Sequence, residues 1–345
     1  MPSVLDVIEN KDLDLEQTDY YAAILGESPS KGAKSPSLWN AAFKGLKLSG
    51  MMHPMDVRPE RLGEVVQCLR GDSRFIGGAV TMPFKITIIP YLDALEPEAE
   101  TIGAVNCLYR DGEKLIGSNT DGAGALWSLE REISDSLEGK TILLLGTGGA
   151  GFAVSTYLAS AIGPKGSLIL ANRSYAPRDE LVGKFQGKCR VRVVDWPIAT
   201  DQVHGVDILV NCSSIGFETL KEDKKGTFSL KFFAPIGPVD DAIRAQNGED
   251  AERRYFKAAS DAIKKNFDQS LDVLSNMDDP FIFDIIYQPL QTMLLFLASM
   301  VGFRTLNGVA MNLEQAVIAF DKATVASGLR NSNYKKTRRL MRKVW

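Results

Sequence analysis

Lys85 and Asp121 are the residues of this sequence best placed to do chemistry. Each sits in a short polar stretch built around a Pro or Gly, Val80-Thr81-Met82-Pro83-Phe84-Lys85 and Asn119-Thr120-Asp121-Gly122, between segments that otherwise read as apolar strands and helices. Polar side chains held on stiff turns beside a core are how a scaffold presents reactive groups. A lysine and an aspartate brought together there could shuttle a proton, one as acid or base and the other as its orienting partner. Read singly, Lys85 is equally a solvated lysine at a helix start, and Asp121 an N-cap for the helix that follows. Their pairing is what favours chemistry.

Shortly downstream, Thr141-Ile142-Leu143-Leu144-Leu145 runs into Gly146-Thr147-Gly148-Gly149-Ala150-Gly151. An apolar strand entering a glycine-rich turn and leaving as a helix lets backbone approach a pyrophosphate, whose charge then lies against the helix N-terminus. Gly146, Gly148, Gly149 and Ala150 are therefore candidate dinucleotide-binding residues. The end of the next strand distinguishes the two nicotinamide dinucleotides, since a carboxylate there binds the ribose 2′-hydroxyl and a basic residue accommodates a 2′-phosphate. The sequence offers Asn172-Arg173-Ser174, with Arg178 further on and no carboxylate before Asp179. That favours NADP, with NAD as the alternative. A proton shuttle near a nucleotide site points to a dehydrogenase.

These groups need elements to position them. Thr18 to Gly26 reads as a first strand, Glu27 to Ser37 as a loop and Leu38 to Leu46 as a helix. A second strand is expected near Asp56 to Arg58, a helix over Arg61 to Leu69, a strand over Phe75 to Val80 and a helix over Ile86 to Tyr91. Val105 to Arg110 and Lys114 to Gly117 read as a hairpin around Asp111-Gly112. A helix from Gly122 to about Ile133 precedes the strand Thr141–Leu145, a helix from Gly149 to Ala161 and the strand Ser167–Ala171. Further strands are expected at Arg190–Val194, Ile208–Asn211 and Phe281–Ile286, and two closing helices at Gln288–Val301 and Met311–Thr324. The stretch from Glu218 to Asp279 is long and polar, and part of it reads as a surface insertion.

The bulk composition narrows the class. A chain of 345 residues suits two domains, and its 45% hydrophobic and 24% charged content is that of a globular enzyme. A net charge of −3 gives no general attraction to nucleic acid or to acidic membranes. The six cations between Lys335 and Lys343 form a basic tail, expected to be solvated or disordered. The longest strongly apolar run, Met293 to Val301, falls far short of the ~20 residues a membrane span needs. Cys68, Cys107, Cys189 and Cys212 lie far apart, and His53 and His204 have no ligand-spaced companion, so a reduced cytoplasmic protein with no metal is expected.

Taken together, these pieces resemble the shikimate/quinate dehydrogenase family. The matching stretches run in order from Gly26 to Asp321. Besides those quoted above, they are Ala33-Lys34-Ser35-Pro36-Ser37-Leu38-Trp39-Asn40, Gly103-Ala104-Val105-Asn106, Asn211-Cys212-Ser213-Ser214-Ile215-Gly216, Asp284-Ile285-Ile286-Tyr287-Gln288-Pro289 and Gly308 through Gln315. The resemblance implies an α/β protein with an N-terminal mixed α/β substrate domain and a Rossmann-type, doubly wound parallel-sheet nucleotide domain. It places residues 1–121 and the closing helices 288–330 in the substrate domain. Residues 122–287 fall in the nucleotide domain, with an insertion around 218–279, and 331–345 remain as tail. It implies reversible hydride transfer between NADP(H) and a ring hydroxyl of shikimate, with Lys85 as acid/base and Asp121 orienting it. Ser35, Thr81, Asn106, Gln315 and Tyr287 would bind this small cyclic hydroxy acid, in a monomer or homodimer.

The chain departs from the family pattern in three places. Two serines usually grip the substrate carboxylate, and here the first is Ala33. Losing one hydrogen bond to a charged group costs about 1.5–3 kcal/mol. The common His before Asn is Trp39, a bulkier neighbour for the same pocket, and the Asn before the Val-Thr pair is Ala79. Two alternatives follow: a quinate dehydrogenase using NAD, and a non-catalytic metabolite sensor.

Overall fold

Tyr20–Gly26 is a short apolar run whose alternate side chains both need cover, so it belongs at the centre of a sheet with layers on either side. The computed structural model, which describes residues 3–172, 182–217, 220–222, 228–230, 233–239 and 250–345, places it there as β1. Tyr21, Ala23 and Leu25 face one core and Ala22 and Ile24 the other. The first unit comprises Met1–Gly124 and Asn312–Trp345, and the second comprises Ala125–Met311.

In the first unit β1 is followed by α1 (Ser35–Leu46), β2 (Gly50–Asp56), α2 (Leu62–Gly71), β3 (Phe75–Val80), α3 (Phe84–Thr87), β4 (Ala94–Leu95), α4 (Pro97–Ile102), β5 (Cys107–Asp111) and β6 (Lys114–Ser118). The sheet order is β2-β1-β3-β5-β6-β4. β1 pairs parallel with β2 and β3, while β5 runs antiparallel to both β3 and β6. Leu62, Val65, Val66 and Leu69 of α2 cover one face. On the other face Leu38, Trp39, Ala42 and Phe43 of α1 meet Leu313, Val317 and Phe320 from the returning chain. Trp39 is fully buried, 5.2 Å centroid to centroid from Phe320 and 6.2 Å from Phe43. Its bulk therefore fills the core of this layer.

The second unit begins within α5 (Asp121–Ile133) and continues with β7 (Thr141–Leu145), α6 (Gly149–Ile162), β8 (Ser167–Ala171), β9 (Arg190–Val194), β10 (Ile208–Asn211), β11 (Leu220–Glu222), β12 (Phe228–Leu230), α7 (Ala251–Ser275), β13 (Phe281–Asp284), α8 (Met293–Val301) and β14 (Thr305–Leu306). Its main sheet has the order β14-β13-β10-β7-β8-β9, with every neighbouring pair parallel. This is a doubly wound Rossmann sheet whose strand order reverses between β7 and β10. β11 and β12 form a separate antiparallel pair. Among the described residues, no helix is long and apolar enough to cross a membrane.

Three expectations need correction. The helix Met293–Val301 lies in the second unit, because Leu294, Leu295, Leu297 and Ala298 close the core beneath β7 and β10. Only the later helix, α9 (Val309–Ala326), returns to the first unit, entering it at Asn312. Much of the stretch read as an insertion is α7, whose Val273 and Leu274 join that same core. The basic tail folds as α10 (Tyr334–Met341). Met341 enters the core of the first unit, Thr337 is fully buried, and Arg338 donates to the buried carboxylate of Glu314 at 2.5 Å. Lys335, Lys336 and Arg339 line the outer side of this amphipathic helix.

Candidate active site

Lys85 is placed by backbone on both sides. The Thr81 amide donates to Leu25 O at 2.9 Å and the Phe84 amide to Thr81 O at 2.9 Å, which turns the chain from β3 into α3. Phe84, almost fully buried, anchors that short helix, and Val105 N donates to Lys85 O at 2.7 Å. Asp121 opens α5 just after β6. Its amide donates to Asn119 Oδ1 at 3.1 Å, and Asn119 Nδ2 reaches Ala104 O at 3.0 Å. The two turns thus converge through the segment that leads into β5.

Lys85 Nζ lies 2.6 Å from Asp121 Oδ2. The other carboxylate oxygen accepts from Asn106 Nδ2 at 2.8 Å. Asn106 is itself fixed, with its backbone bonded to Val80 and Ser118 and its Oδ1 accepting the Thr120 amide at 2.7 Å. The Thr120 hydroxyl and Gln315 Oε1 close the cluster, 3.5 Å apart, and Gln315 Nε2 holds Asn312 O at 3.0 Å. The Asp121 side chain is 12% exposed and that of Lys85 28%. One end of the pair is therefore locked in the protein and the ammonium is open to a substrate and to water. A carboxylate so held orients the amine, and the amine can take a proton from an alcohol or return one to a ketone.

Lys85, Asp121, Asn106 and Gln315 are thus joined in one hydrogen-bonded cluster, to which Thr120 and Asn119 belong as well. The sequence reading named neither of these two as a site residue, although both stand inside the Asn-Thr-Asp-Gly stretch. Ser35, the first residue of α1, is buried, and Thr81 is half-buried. Neither hydroxyl has a hydrogen-bond partner within the described residues, so both are available to a ligand. Ala33 is half-buried just before them. Tyr287 follows β13 and is half-buried in the second unit.

In that unit Gly146 takes φ +90°, and a Cβ there would lie 2.9 Å from Ser213 Cα and N. Gly151 admits no side chain either, since its Cβ would fall 1.9 Å from Gly146 O. These two glycines set the tight turn and the close packing of α6 on β7. Around Gly148 and Gly149, by contrast, a Cβ would meet open space, and Gly148 caps α6 without any side-chain hydrogen bond. Free amides at an open helix N-terminus beside the switch point fit a pyrophosphate. Asn172 is half-buried immediately after β8, whereas Arg173, Ser174 and Arg178 lie outside the described residues.

The chain is similar to known proteins over most of its length. Residues 25–108 match the shikimate dehydrogenase substrate binding domain. A shikimate dehydrogenase (NADP+) of Carboxydothermus hydrogenoformans is 32% identical over 303 residues, which cover 87% of this chain and 90% of the relative. The chain belongs to the shikimate dehydrogenase family. A second such enzyme, from Geobacter metallireducens, is 33% identical over 298 residues, covering 84% of this chain and 86% of the relative. A solved shikimate dehydrogenase in complex with NADP+ superposes with a TM-score of 0.67 at 28% identity, covering 94% of this chain and 95% of the other. The two-unit architecture with a Rossmann sheet is that of this shikimate dehydrogenase family.

Proposed function

We propose that this chain is an NADP-dependent dehydrogenase that interconverts shikimate and 3-dehydroshikimate, with Lys85 and Asp121 as the working pair. The observation that carries this reading is the Lys85–Asp121 contact of 2.6 Å, held from behind by Asn106 and open on the lysine side. NADP, whose pyrophosphate the Gly146–Ala150 turn would hold, supplies the hydride acceptor or donor. In the oxidation direction Lys85 Nζ takes the ring hydroxyl's proton, and in the reduction direction the ammonium returns it. Asp121 keeps the amine aimed, and the partial exposure of Lys85 lets the proton exchange with water. Ser35 and Thr81 offer unpartnered hydroxyls to the carboxylate and ring oxygens, while Gln315 and Asn106 belong to the hydrogen-bonded cluster that holds Asp121. Tyr287, Arg173, Ser174 and Arg178 complete the substrate and 2′-phosphate contacts. The enzyme works in the cytoplasm on a small cyclic hydroxy acid, as a monomer or homodimer and without nucleic acid.

Ala33 favours a second reading in one respect: with Ser35 as the single serine, the carboxylate grip is weakened and quinate becomes a competing substrate. Purified protein assayed with shikimate and quinate, each with NADP and NAD, decides between them by reduced-nicotinamide absorbance. Turnover with shikimate and NADP supports the proposal. Turnover confined to quinate moves the substrate, and nucleotide binding without turnover in any combination leaves the sensor reading.

A further inference from the structure

Asp284 is a carboxylate with 0% exposure at the carboxyl end of β13, and among the described residues no cation faces it. A buried charge without a counter-charge is a cost that a neutral side chain of the same shape would avoid. Its hydrogen bonds show what it does. Oδ1 accepts from Asn211 Nδ2 at 3.0 Å and from the Ile286 amide at 3.0 Å, and Oδ2 accepts from Thr292 Oγ1 at 2.7 Å. Asn211, also fully buried, ends β10 and passes the constraint on. Its Oδ1 accepts both the amide of Ser213, at 3.0 Å, and the Ser213 hydroxyl, at 2.7 Å. Ser213 in turn accepts from Ile215 N at 3.3 Å.

This relay ties together three loops that share one edge of the sheet. Ser213 is the residue against which Gly146 packs, so the turn after β7 rests on the turn after β10. Thr292 caps α8 and lies against Gly216, where a Cβ would come within 3.5 Å of the Thr292 Cβ. In a doubly wound sheet the dinucleotide lies across this edge, with the half formed by β10, β13 and β14 facing the nicotinamide side. We propose that Asp284 is a positioning residue for the cofactor: through Asn211 it sets the Ser213 turn against Gly146, and through Ile286 and Thr292 it sets the segment carrying Tyr287. The nicotinamide end then meets a preformed surface.

This inference rests on the nucleotide-binding part of the proposed function, and the test separates the two. NADPH affinity is measured by fluorescence titration, and shikimate affinity by calorimetry, for the full chain as wild type, Asp284→Ala, Asp284→Asn and Ser213→Ala. Asp284→Ala removes three hydrogen bonds to a charged acceptor and should weaken NADPH about tenfold or more, with a clearly smaller loss of shikimate affinity passed on through the segment carrying Tyr287. Asp284→Asn keeps the acceptor for Asn211 and Ile286 and should recover most of the loss, while Ser213→Ala should reproduce part of it. If Asp284→Ala does not fold, Thr292→Val, which removes the donor to Oδ2 at nearly constant volume, takes its place. Wild-type NADPH affinity in these variants, or equal loss for both ligands, overturns the positioning role. Failure of the wild type to bind either nicotinamide dinucleotide overturns the proposed function instead.

Discussion

The two units each contain an aspartate addressed by an asparagine carboxamide, and the two clusters differ in two respects. Asn106 reaches Asp121 at 2.8 Å and Asn211 reaches Asp284 at 3.0 Å, and each asparagine uses its oxygen to fix a backbone amide nearby, that of Thr120 or Ser213. Asp121 has Lys85 on its other oxygen and is partly open, whereas Asp284 has Thr292 and is sealed. In the proposed function the same motif orients a proton carrier once a cation and an opening are added. Without them it orients backbone.

The comparison is broken most directly at Lys85. Lys85→Ala should lower kcat about 100- to 10,000-fold, the range of a lost general acid or base, with NADPH affinity within about twofold of wild type. Steady-state rates with a parallel nucleotide titration check both halves, and a near-wild-type rate would sink the mechanism. Next come the asparagines. Asn106→Ala leaves Asp121 short of one donor and the Thr120 amide without an acceptor, and should cost about tenfold to 100-fold in kcat. Asn211→Ala should instead appear as weaker NADPH binding at unchanged shikimate affinity, and a common phenotype for the two would erase the distinction.

The third test sharpens the difference in environment. Burial pushes Asp284 from its ordinary 3.8 up to about 6. The folded protein therefore holds a proton there that the unfolded chain releases at the same pH. The associated stability is complete below the unfolded value and is lost as pH rises through about 6. Asp284→Asn has no such loss. Its stability relative to wild type should grow by about 2–3 kcal/mol between about pH 4 and about pH 7. Urea unfolding across that window measures it, and a pH-independent difference would show the group already charged throughout. The smallest effect is expected at the carboxylate grip, where Ala33→Ser adds a hydroxyl beside Ser35 and should lower KM for shikimate by about tenfold at most. A rise in KM would mean that Ala33 does not border the substrate.

Much of the second sheet could be read directly. Thr141–Leu145, Ser167–Ala171, Arg190–Val194 and Ile208–Asn211 form strands at the bounds the sequence suggested, since each is a compact apolar or alternating run between polar breaks. The polar stretch before β13 misled because some of its buried positions, Asn266 and Ser270, carry polar side chains. Asn266, almost fully buried, sits on α7 and binds Ala234 N and O at 2.8 and 3.0 Å, so a residue typical of surfaces clamps an interior segment. The tail misled for a related reason: Thr337 and Met341, one turn apart, are the face α10 buries, and the cations around them hide that period. At the site, the residues on strand ends announced themselves through their Pro and Gly neighbours. The Asp284 relay did not, because its meaning lies in which parallel strands stand side by side, and that is a property of sheet order.

The first unit is built from two segments that lie on either side of the second unit in the chain. On the ribosome its N-terminal part emerges first yet must wait, with the Trp39 side of its sheet uncovered, until α9 and α10 are made. The second unit, continuous from Ala125 to Met311, can finish earlier. Gln315 is delivered in that last step, so a prematurely terminated chain can acquire a complete second sheet while the cluster around Lys85 and Asp121 still lacks Gln315.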